Sequence, residues 1–191
     1  MTGPMLNPII TVTLRLLLFR AGPQDFPHAR ALAVWMPAVA IAAYFAVFSV
    51  LLPRTASLVL AAVSVGALAF VTHSLLSARR VANRFQQTFH SLLATGAVIT
   101  LASILPMQAL APSILQIAAD PQAAATVHAS PLASIALNAL NIWNFFVYAH
   151  IYRHATDTRL WAGALIALFV VFSVLLLSLL FAQLFVSLLR A

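Results

Sequence analysis

The chain contains no cysteine, no lysine and no glutamate among its 191 residues. Without cysteine, disulfides, thiolate metal sites and cysteine nucleophiles are excluded. Without glutamate, zinc-protease motifs of the His-Glu type are excluded, and without lysine so is the phosphate-binding loop of P-loop enzymes. The Gly-x-Ser-x-Gly motif of serine hydrolases does not occur either. We therefore expect a protein that is not an enzyme and that carries no cofactor.

Charged residues are scarce, and most of them are positive. All basic residues are arginines and all acidic residues are aspartates, so that charged residues make up 7% of the chain and apolar residues 63%. This composition is typical of membrane proteins. A net charge of +7 would indicate nucleic-acid binding in a soluble protein, but here the arginines flank long apolar runs. We expect membrane lipids as partners and no nucleic acid.

Several segments without Arg or Asp are each long enough to cross a bilayer core of about 30 Å. They are residues 31–53, 55–78, 85–110, 132–152 and 160–189. The sequence therefore predicts an all-α fold, a polytopic membrane helix bundle with five transmembrane helices that make up one domain, residues 31–189. The remaining long connection, residues 111–131, is predicted to be an external loop. Within it, Asp120-Pro121 and Ser130-Pro131 are typical helix starts.

Two of these segments contain an internal proline, and the last segment is unusually long. Pro37 lies inside the first span and Pro106 near the outer end of the third. Proline removes a helix hydrogen bond, so a kink is expected at each position. As a single helix, residues 160–189 would measure about 45 Å, which requires tilt, a kink or projection beyond the bilayer.

The N-terminal 30 residues form a separate segment. Between Asn7-Pro8, which is typical of a helix start, and Arg20, most side chains are apolar, and Arg15 interrupts the apolar stretch. A helix of this length would reach only about 20 Å, too short for the hydrocarbon core. Residues 1–30 are therefore predicted to form a cytoplasmic, interfacial amphipathic helix.

The arginines are distributed unequally between the two sides that five spans would create. Eight fall on one side and two on the other, Arg54 and Arg190. The positive-inside rule then places the N-terminus in the cytoplasm and the C-terminus outside. We expect an integral protein of the bacterial inner (cytoplasmic) membrane. The eight predicted cytoplasmic, lipid-facing residues are Arg15, Arg20, Arg30, Arg79, Arg80, Arg84, Arg153 and Arg159.

Polar side chains are concentrated in the fourth predicted span. They recur at helical spacing, and four of the five fall within one stripe at about 100° per residue. One interpretation is hydrogen bonding between helices, worth about 0.6 kcal/mol per bond, which we favour. The other is a wet groove or ligand-binding face. The five residues are Asn138, Asn141, Asn144, Tyr148 and Tyr152.

Histidines near the predicted inner ends of the spans are the candidate metal or haem ligands. Among them, His150 and His154 are spaced i, i+4 and would face the same direction. Interfacial histidines more often donate to a neighbouring carbonyl, and only Asp157 accompanies them, so we expect no bound metal. The other two candidates are His73 and His90.

The layout resembles the Yip family of Ypt/Rab-interacting membrane proteins and its bacterial relatives. The resemblance is carried by Phe85-Gln86-Gln87-Thr88-Phe89 leading to Pro106, and by residues 143–153 leading into the last apolar segment. It implies a non-enzymatic membrane protein that organises or recruits other proteins, and it identifies no site residue. The family's Asp-Leu-Tyr-Gly-Pro and Gly-Tyr signatures are missing here, so GTPase binding is not implied.

These observations favour a scaffold, assembly or trafficking factor that binds other membrane proteins or itself through helix packing and a basic cytoplasmic face. The alternative is a subunit of an oligomeric channel or transporter, in which the Asn/Tyr stripe lines a path. Because no predicted span contains a carboxylate or an arginine, ion-coupled transport is the weaker form of that alternative. A haem- or metal-binding membrane subunit is a third hypothesis.

Overall fold

The computed structural model describes residues 3–190, apart from the side chains of residues 3–6, 123, 125 and 185–190. Every regular element within this part of the chain is helical, which confirms the predicted all-α class. Short 3-10 turns lie in the connections, at Pro23–Asp25, Ala82–Arg84 and Pro121–Ala125. The α-helices are α1 (Gly3–Leu17), α2 (Leu32–Phe48), α3 (Arg54–Ala78), α4 (Phe85–Ala102), α5 (Ile104–Ala119), α6 (Pro131–Ala155) and α7 (Leu160–Arg190).

Fewer helices meet the length and hydropathy expected of a membrane span than the sequence predicts. In the described residues, α3, α6 and α7 are long and apolar enough to cross a bilayer. The pair α4 and α5 meets the same test only if it is counted as one bent span. Helix α2 has 17 residues, fewer than the roughly 20 that a complete crossing needs. The structure thus contains three or four candidate spans.

The predicted third span is not one continuous helix. Helices α4 and α5 meet at Ser103 with a bend of 57°. Pro106 explains the position of the bend, because its ring would clash with the carbonyl of Ala102 in an unbroken helix. Residues 104–119 then form α5, so that a large part of the predicted external loop 111–131 is helical. Pro37, by contrast, lies inside α2 without ending it.

Local capping determines where helices begin. The Ser130 hydroxyl accepts a hydrogen bond from the Ala133 amide at 3.3 Å, and α6 begins at the next residue, Pro131, as predicted. The Asp120 carboxylate likewise accepts from the Gln122 amide at 3.0 Å before the 3-10 turn. At the N-terminus the prediction was wrong, because α1 already begins at Gly3 and contains Pro8.

Five helices close into a ring. Helix α2 packs against α3 and α4, α7 packs against α3 and α6, and α4 packs against α6. Helix α5 packs mainly against α6, and α1 packs on the outside of α4 and α6. Because lipid tails are as apolar as the helix surfaces, such a ring depends on close packing and on hydrogen bonds between helices.

The contact between α6 and α7 requires a glycine. A Cβ atom at Gly163 of α7 would lie 2.5 Å from the backbone oxygen of Ala149 and 2.7 Å from Cβ of Arg153. Both distances are below van der Waals contact, so only the absence of a side chain lets the two helix backbones approach this closely. The connection 156–159 between these helices is correspondingly short.

The bundle is closely packed at the end where the connections 18–31, 79–84 and 156–159 meet. Leu76 and Leu92 have no exposed surface there, and Leu93 is 1% exposed. In the same layer the hydroxyls of Thr72 in α3 and Tyr152 in α6 form a buried hydrogen bond of 2.7 Å. We call this end of the bundle the packed half.

The outward faces of the ring are apolar. Helix α7 is continuous over its 31 residues and turns large side chains such as Phe169, Phe172 and Leu176 away from the protein. Continuous exposed apolar surface of this kind is costly in water and favourable in lipid. The long apolar helices and these exposed faces indicate a membrane-embedded protein.

Candidate functional site

A half-open cavity of about 460 Å³ lies between helices of the ring. Some of its lining residues on α7, such as Val171 and Leu175, are also exposed on the outer surface of the bundle. Four helices line it, namely α2, α3, α6 and α7. Most of the lining side chains are aliphatic or aromatic. The polar lining residues are Tyr44, Ser64, Asn141, Asn144, Tyr148 and Ser178. We call this space the interior cavity.

The interior cavity lies near the middle of the bundle's length. Asn144 is about halfway along α6, so at 1.5 Å per residue it is roughly 17–20 Å from either end of that helix. From there the cavity extends past Asn141 and Leu60 towards the beginning of α6 and α3. Polar groups at this depth have no bulk water to satisfy them.

Asn144 has an unsatisfied polar atom at this depth. Its Oδ1 is buried and has no hydrogen-bond partner within the described part of the chain. An unpaired buried carbonyl oxygen costs about 1–3 kcal/mol, so a group that donates to it would be favourable. Asn141, one turn earlier on the same helix, also lines the cavity, and its side chain is exposed.

A tyrosine pair forms one wall of the interior cavity. Tyr44 of α2 has polar contacts with Tyr148 of α6 and with Thr100 of α4. Gly96 of α4 makes room for these hydroxyls, since a Cβ there would lie 2.9 Å from the Tyr148 hydroxyl oxygen. The stripe prediction did not include Tyr44, although it is the only hydroxyl-bearing residue in α2. That isolation within an apolar helix was a signal that could have identified it.

The opposite wall contains a second polar contact. The hydroxyls of Ser64 in α3 and Ser178 in α7 lie 3.2 Å apart, and either can be the donor. Both serines also line the interior cavity. Their pairing could not be predicted from sequence, because 114 positions separate them. The sequences of two apolar helices also do not show which of their turns lie side by side.

The interior cavity is closed at the packed half. It ends at Leu68, Tyr148 and Val170. One helical turn further, Thr72 and Tyr152 are fully buried and hydrogen-bonded to each other. The cavity is therefore a pocket rather than a path through the chain.

The predicted polar stripe of α6 divides into three parts in the structure. Asn141, Asn144 and Tyr148 line the interior cavity. Tyr152 lies in the packed half, where it bonds Thr72. Asn138 is exposed and is not part of the cavity lining.

A second polar cluster lies where the connections meet. Nη1 of Arg84, just before α4, is 2.7 Å from the Asp157 carboxylate and donates to the carbonyls of His154 and Ala155 at 3.3 and 3.1 Å. Gln87 of α4 donates through Nε2 to the carbonyls of Gln24 and Phe26. These bonds connect the ends of α4 and α6 with the segment between α1 and α2. A small cavity of about 250 Å³ lies beside them.

The four candidate histidines do not come together at one site: His150 and His154 are in contact, and His73 and His90 lie elsewhere. The His150 and His154 rings are 4.6 Å apart, and Nε2 of His150 is 2.8 Å from the carbonyl oxygen of Ala21. His90 instead contacts the ring of Phe26, and His73 contacts Phe85. Over the described residues, no group of three or more His or Asp side chains is placed to hold a metal ion.

Most of the predicted cytoplasmic arginines are on the surface. Arg84 and Arg153 are partly covered, and the other six are exposed. The one ion pair within the described chain is that of Arg84 with Asp157. The six exposed residues are Arg15, Arg20, Arg30, Arg79, Arg80 and Arg159.

No protein-family model, curated protein or solved structure matches this chain.

Proposed function

We propose that this chain is a five-span integral protein of the bacterial inner membrane that acts as a non-enzymatic scaffold or assembly factor. Its N-terminal segment lies at the cytoplasmic interface, and its C-terminus is external. The resemblance to the Yip family points in the same direction. Partners would be membrane lipids and other membrane proteins, or further copies of the chain.

Five crossings are supported by the ring itself. Helix α2 is short, but it packs against both α3 and α4 and is thus aligned with longer helices. Residues 49–52 continue from it as turns before α3 begins at Arg54. In this proposal the bent pair α4 and α5 counts as one further crossing. With α3, α6 and α7, this makes five.

One observation carries the scaffold proposal, namely that arginines without carboxylate partners gather at one end of the bundle. Arg79, Arg80 and Arg159 are exposed beside helix ends that Arg84 holds together, and none of them has an ion pair among the described residues. Exposed guanidinium groups at this position are available to anionic lipids and to acidic surfaces of partner proteins.

Crosslinked purification of the tagged full chain from its native membrane tests this proposal. We expect a specific partner to be recovered with the unaltered chain and largely lost with the triple variant Arg79→Gln, Arg80→Gln and Arg159→Gln. Arg54→Gln, at the opposite end of α3, is the matched control and should retain the partner. A chain recovered alone, or equal recovery with all variants, would contradict the scaffold role.

A channel or transporter subunit is the second candidate, favoured by the polar lining of the interior cavity. Asn141, Asn144 and Tyr148 face a common space, as a path would require. The packed half closes that space within one chain, so conduction would need an assembly or a rearrangement. Solute flux into liposomes that is abolished by Asn141→Leu and Asn144→Leu would establish this alternative. Visible absorbance of the purified protein would likewise establish a haem subunit.

A further inference from the structure

We propose that the interior cavity binds an uncharged, membrane-soluble alcohol, that is, a molecule with one hydroxyl group and an apolar body. This ligand site is independent of the scaffold role, which concerns the arginine-rich end of the bundle. The proposal is supported by the volume of the cavity, by its mainly apolar lining and by an unsatisfied polar atom in its wall.

The dimensions and lining of the cavity are those of a small-molecule site. Its volume of about 460 Å³ falls in the range of about 300–1,000 Å³ that is usual for ligand pockets. Such pockets are mainly apolar and contain a few convergent polar groups that orient the ligand. Here the apolar part is supplied largely by α7, for example by Val174 and Leu175, and the polar part by α6.

The ligand should be uncharged. None of the residues that line the cavity is Asp, Arg or His. An ionised ligand at this depth would lose its hydration without gaining an opposite charge, which is strongly unfavourable. Fatty acids and ammonium compounds are therefore excluded as preferred ligands.

The polar end of the ligand should be a hydroxyl group. Asn144 Oδ1 lacks a donor, and a hydroxyl can donate to it and at the same time accept from an amide or hydroxyl of the lining. Tyr148 and Ser178 offer such hydroxyls in the same cavity. A ketone or ether of the same shape could accept but could not satisfy Asn144.

The lining of the cavity fits a molecule with an apolar body and one hydroxyl group better than it fits water. A buried water needs two to four polar partners, whereas much of the wall consists of residues such as Phe48, Leu60 and Val171. An apolar body would cover this surface, and the hydroxyl group would reach Asn144. The cavity lies in a membrane-embedded bundle, where long-chain alcohols partition readily.

Photoaffinity labelling of the purified full chain in nanodiscs tests this inference. The probe is hexadecanol with a diazirine in its chain, and unlabelled hexadecanol is the competitor. We expect saturable labelling of peptides from α6 and α7, with a labelling affinity at least about tenfold higher than that of the corresponding methyl ether or photoreactive fatty acid. Asn144→Leu should lower the affinity for the alcohol by about five- to tenfold, as loss of a buried hydrogen bond implies.

Asn138→Leu is the matched control, since it makes the same change six positions earlier at an exposed site. It should leave labelling unchanged. Val174→Phe provides an independent variant, because it fills the cavity without removing a polar group. It should abolish saturable labelling even if Asn144→Leu does not fold. The site is disproved if the ether labels as well as the alcohol, if Val174→Phe is labelled normally, or if labelling cannot be saturated.

Discussion

Arg84 caps the carboxyl end of α6 and also forms an ion pair with Asp157, its Nη1 lying 2.7 Å from the carboxylate. The same nitrogen donates to the carbonyls of His154 and Ala155, two of the acceptors that a helix end leaves without partners. A positive charge at this position also interacts favourably with the helix dipole. One side chain thus joins the start of α4 to the end of α6.

Replacing either partner should have unequal effects. We expect Arg84→Met to lower the free energy of unfolding by about 1–2 kcal/mol, because two carbonyls lose their donor. Asp157→Asn should lower it by less than about 1 kcal/mol, since that side chain is 70% exposed and the ion pair is screened. Thermal unfolding in detergent measures both, with exposed Arg79→Met as control. Equal losses for Arg84→Met and Asp157→Asn would show that the ion pair, not capping, dominates.

The bond between Thr72 and Tyr152 should show energetic coupling. Either Thr72→Val or Tyr152→Phe leaves the other hydroxyl unpaired in the packed half, so each should lower the free energy of unfolding by about 1–2 kcal/mol. The double variant should lose little more than either single one, which corresponds to a coupling energy of about 1 kcal/mol. A double-mutant cycle of chemical unfolding measures it. Strictly additive losses would mean that the hydroxyls do not interact.

Two glycines in long helices should respond oppositely to alanine. Gly163→Ala places a Cβ against the backbone of α6, and the resulting shift of α7 should cost about 1–3 kcal/mol. A Cβ at Gly66 of α3 meets nothing within 4 Å. Gly66→Ala should therefore be neutral or stabilise by up to about 1 kcal/mol, because alanine favours the helix. The melting temperatures of the two variants in detergent test this difference. A destabilising effect of Gly66→Ala would contradict the described packing of α3 and α7.

Arg80 should be replaceable by glycine with a gain in stability. It ends α3 with φ of 61°, in the left-handed region, and the next amide, of Val81, donates to the Leu76 carbonyl. Glycine adopts this conformation without the cost of roughly 1 kcal/mol that a side chain carries. Arg80→Gly should accordingly raise the melting temperature, whereas Arg79→Gly, at φ of −84°, should not. The opposite order would contradict the helix end as described.

The proposed orientation can be tested directly because the chain has no cysteine of its own. Ala82 lies in the connection between α3 and α4, which Arg84 joins to the end of α6, and Ala129 lies just before the beginning of α6. Single cysteines at these two positions would therefore report on opposite ends of the bundle. In intact spheroplasts, a membrane-impermeant maleimide should label Ala129→Cys and leave Ala82→Cys unlabelled until the membrane is permeabilised. Labelling of both, or the reverse pattern, would contradict a cytoplasmic position for residues 79–84.

The helical class and several boundaries could be predicted from local sequence. Ser130-Pro131 starts a helix because a hydroxyl and a proline act on their own neighbours. Pro106 likewise bends the third predicted span through its own backbone. The predicted span of residues 85–110 was wrong in its extent. An apolar run does not reveal whether it forms one helix or two, and here α4 ends at Ala102 and α5 continues to Ala119.

The candidate site depended more on tertiary structure. Helical spacing placed Asn141, Asn144 and Tyr148 on one face, since that geometry is a property of one helix. Which neighbours this face meets is a property of the ring. Only the structure therefore shows that Tyr44 of α2 also lines the interior cavity.

The amino-acid sequence by itself determined that this chain is helical and apolar, with its positive charges outside the long apolar runs, because composition and helical period are local quantities. Only the tertiary structure decided that Arg84 meets Asp157, that Gly163 lies against Ala149, and that Asn144 faces a pocket closed beneath it. The physical reason is that apolar helices in lipid resemble one another along their length. Their order and register are therefore selected by close backbone approaches and a few polar contacts between positions distant in the chain.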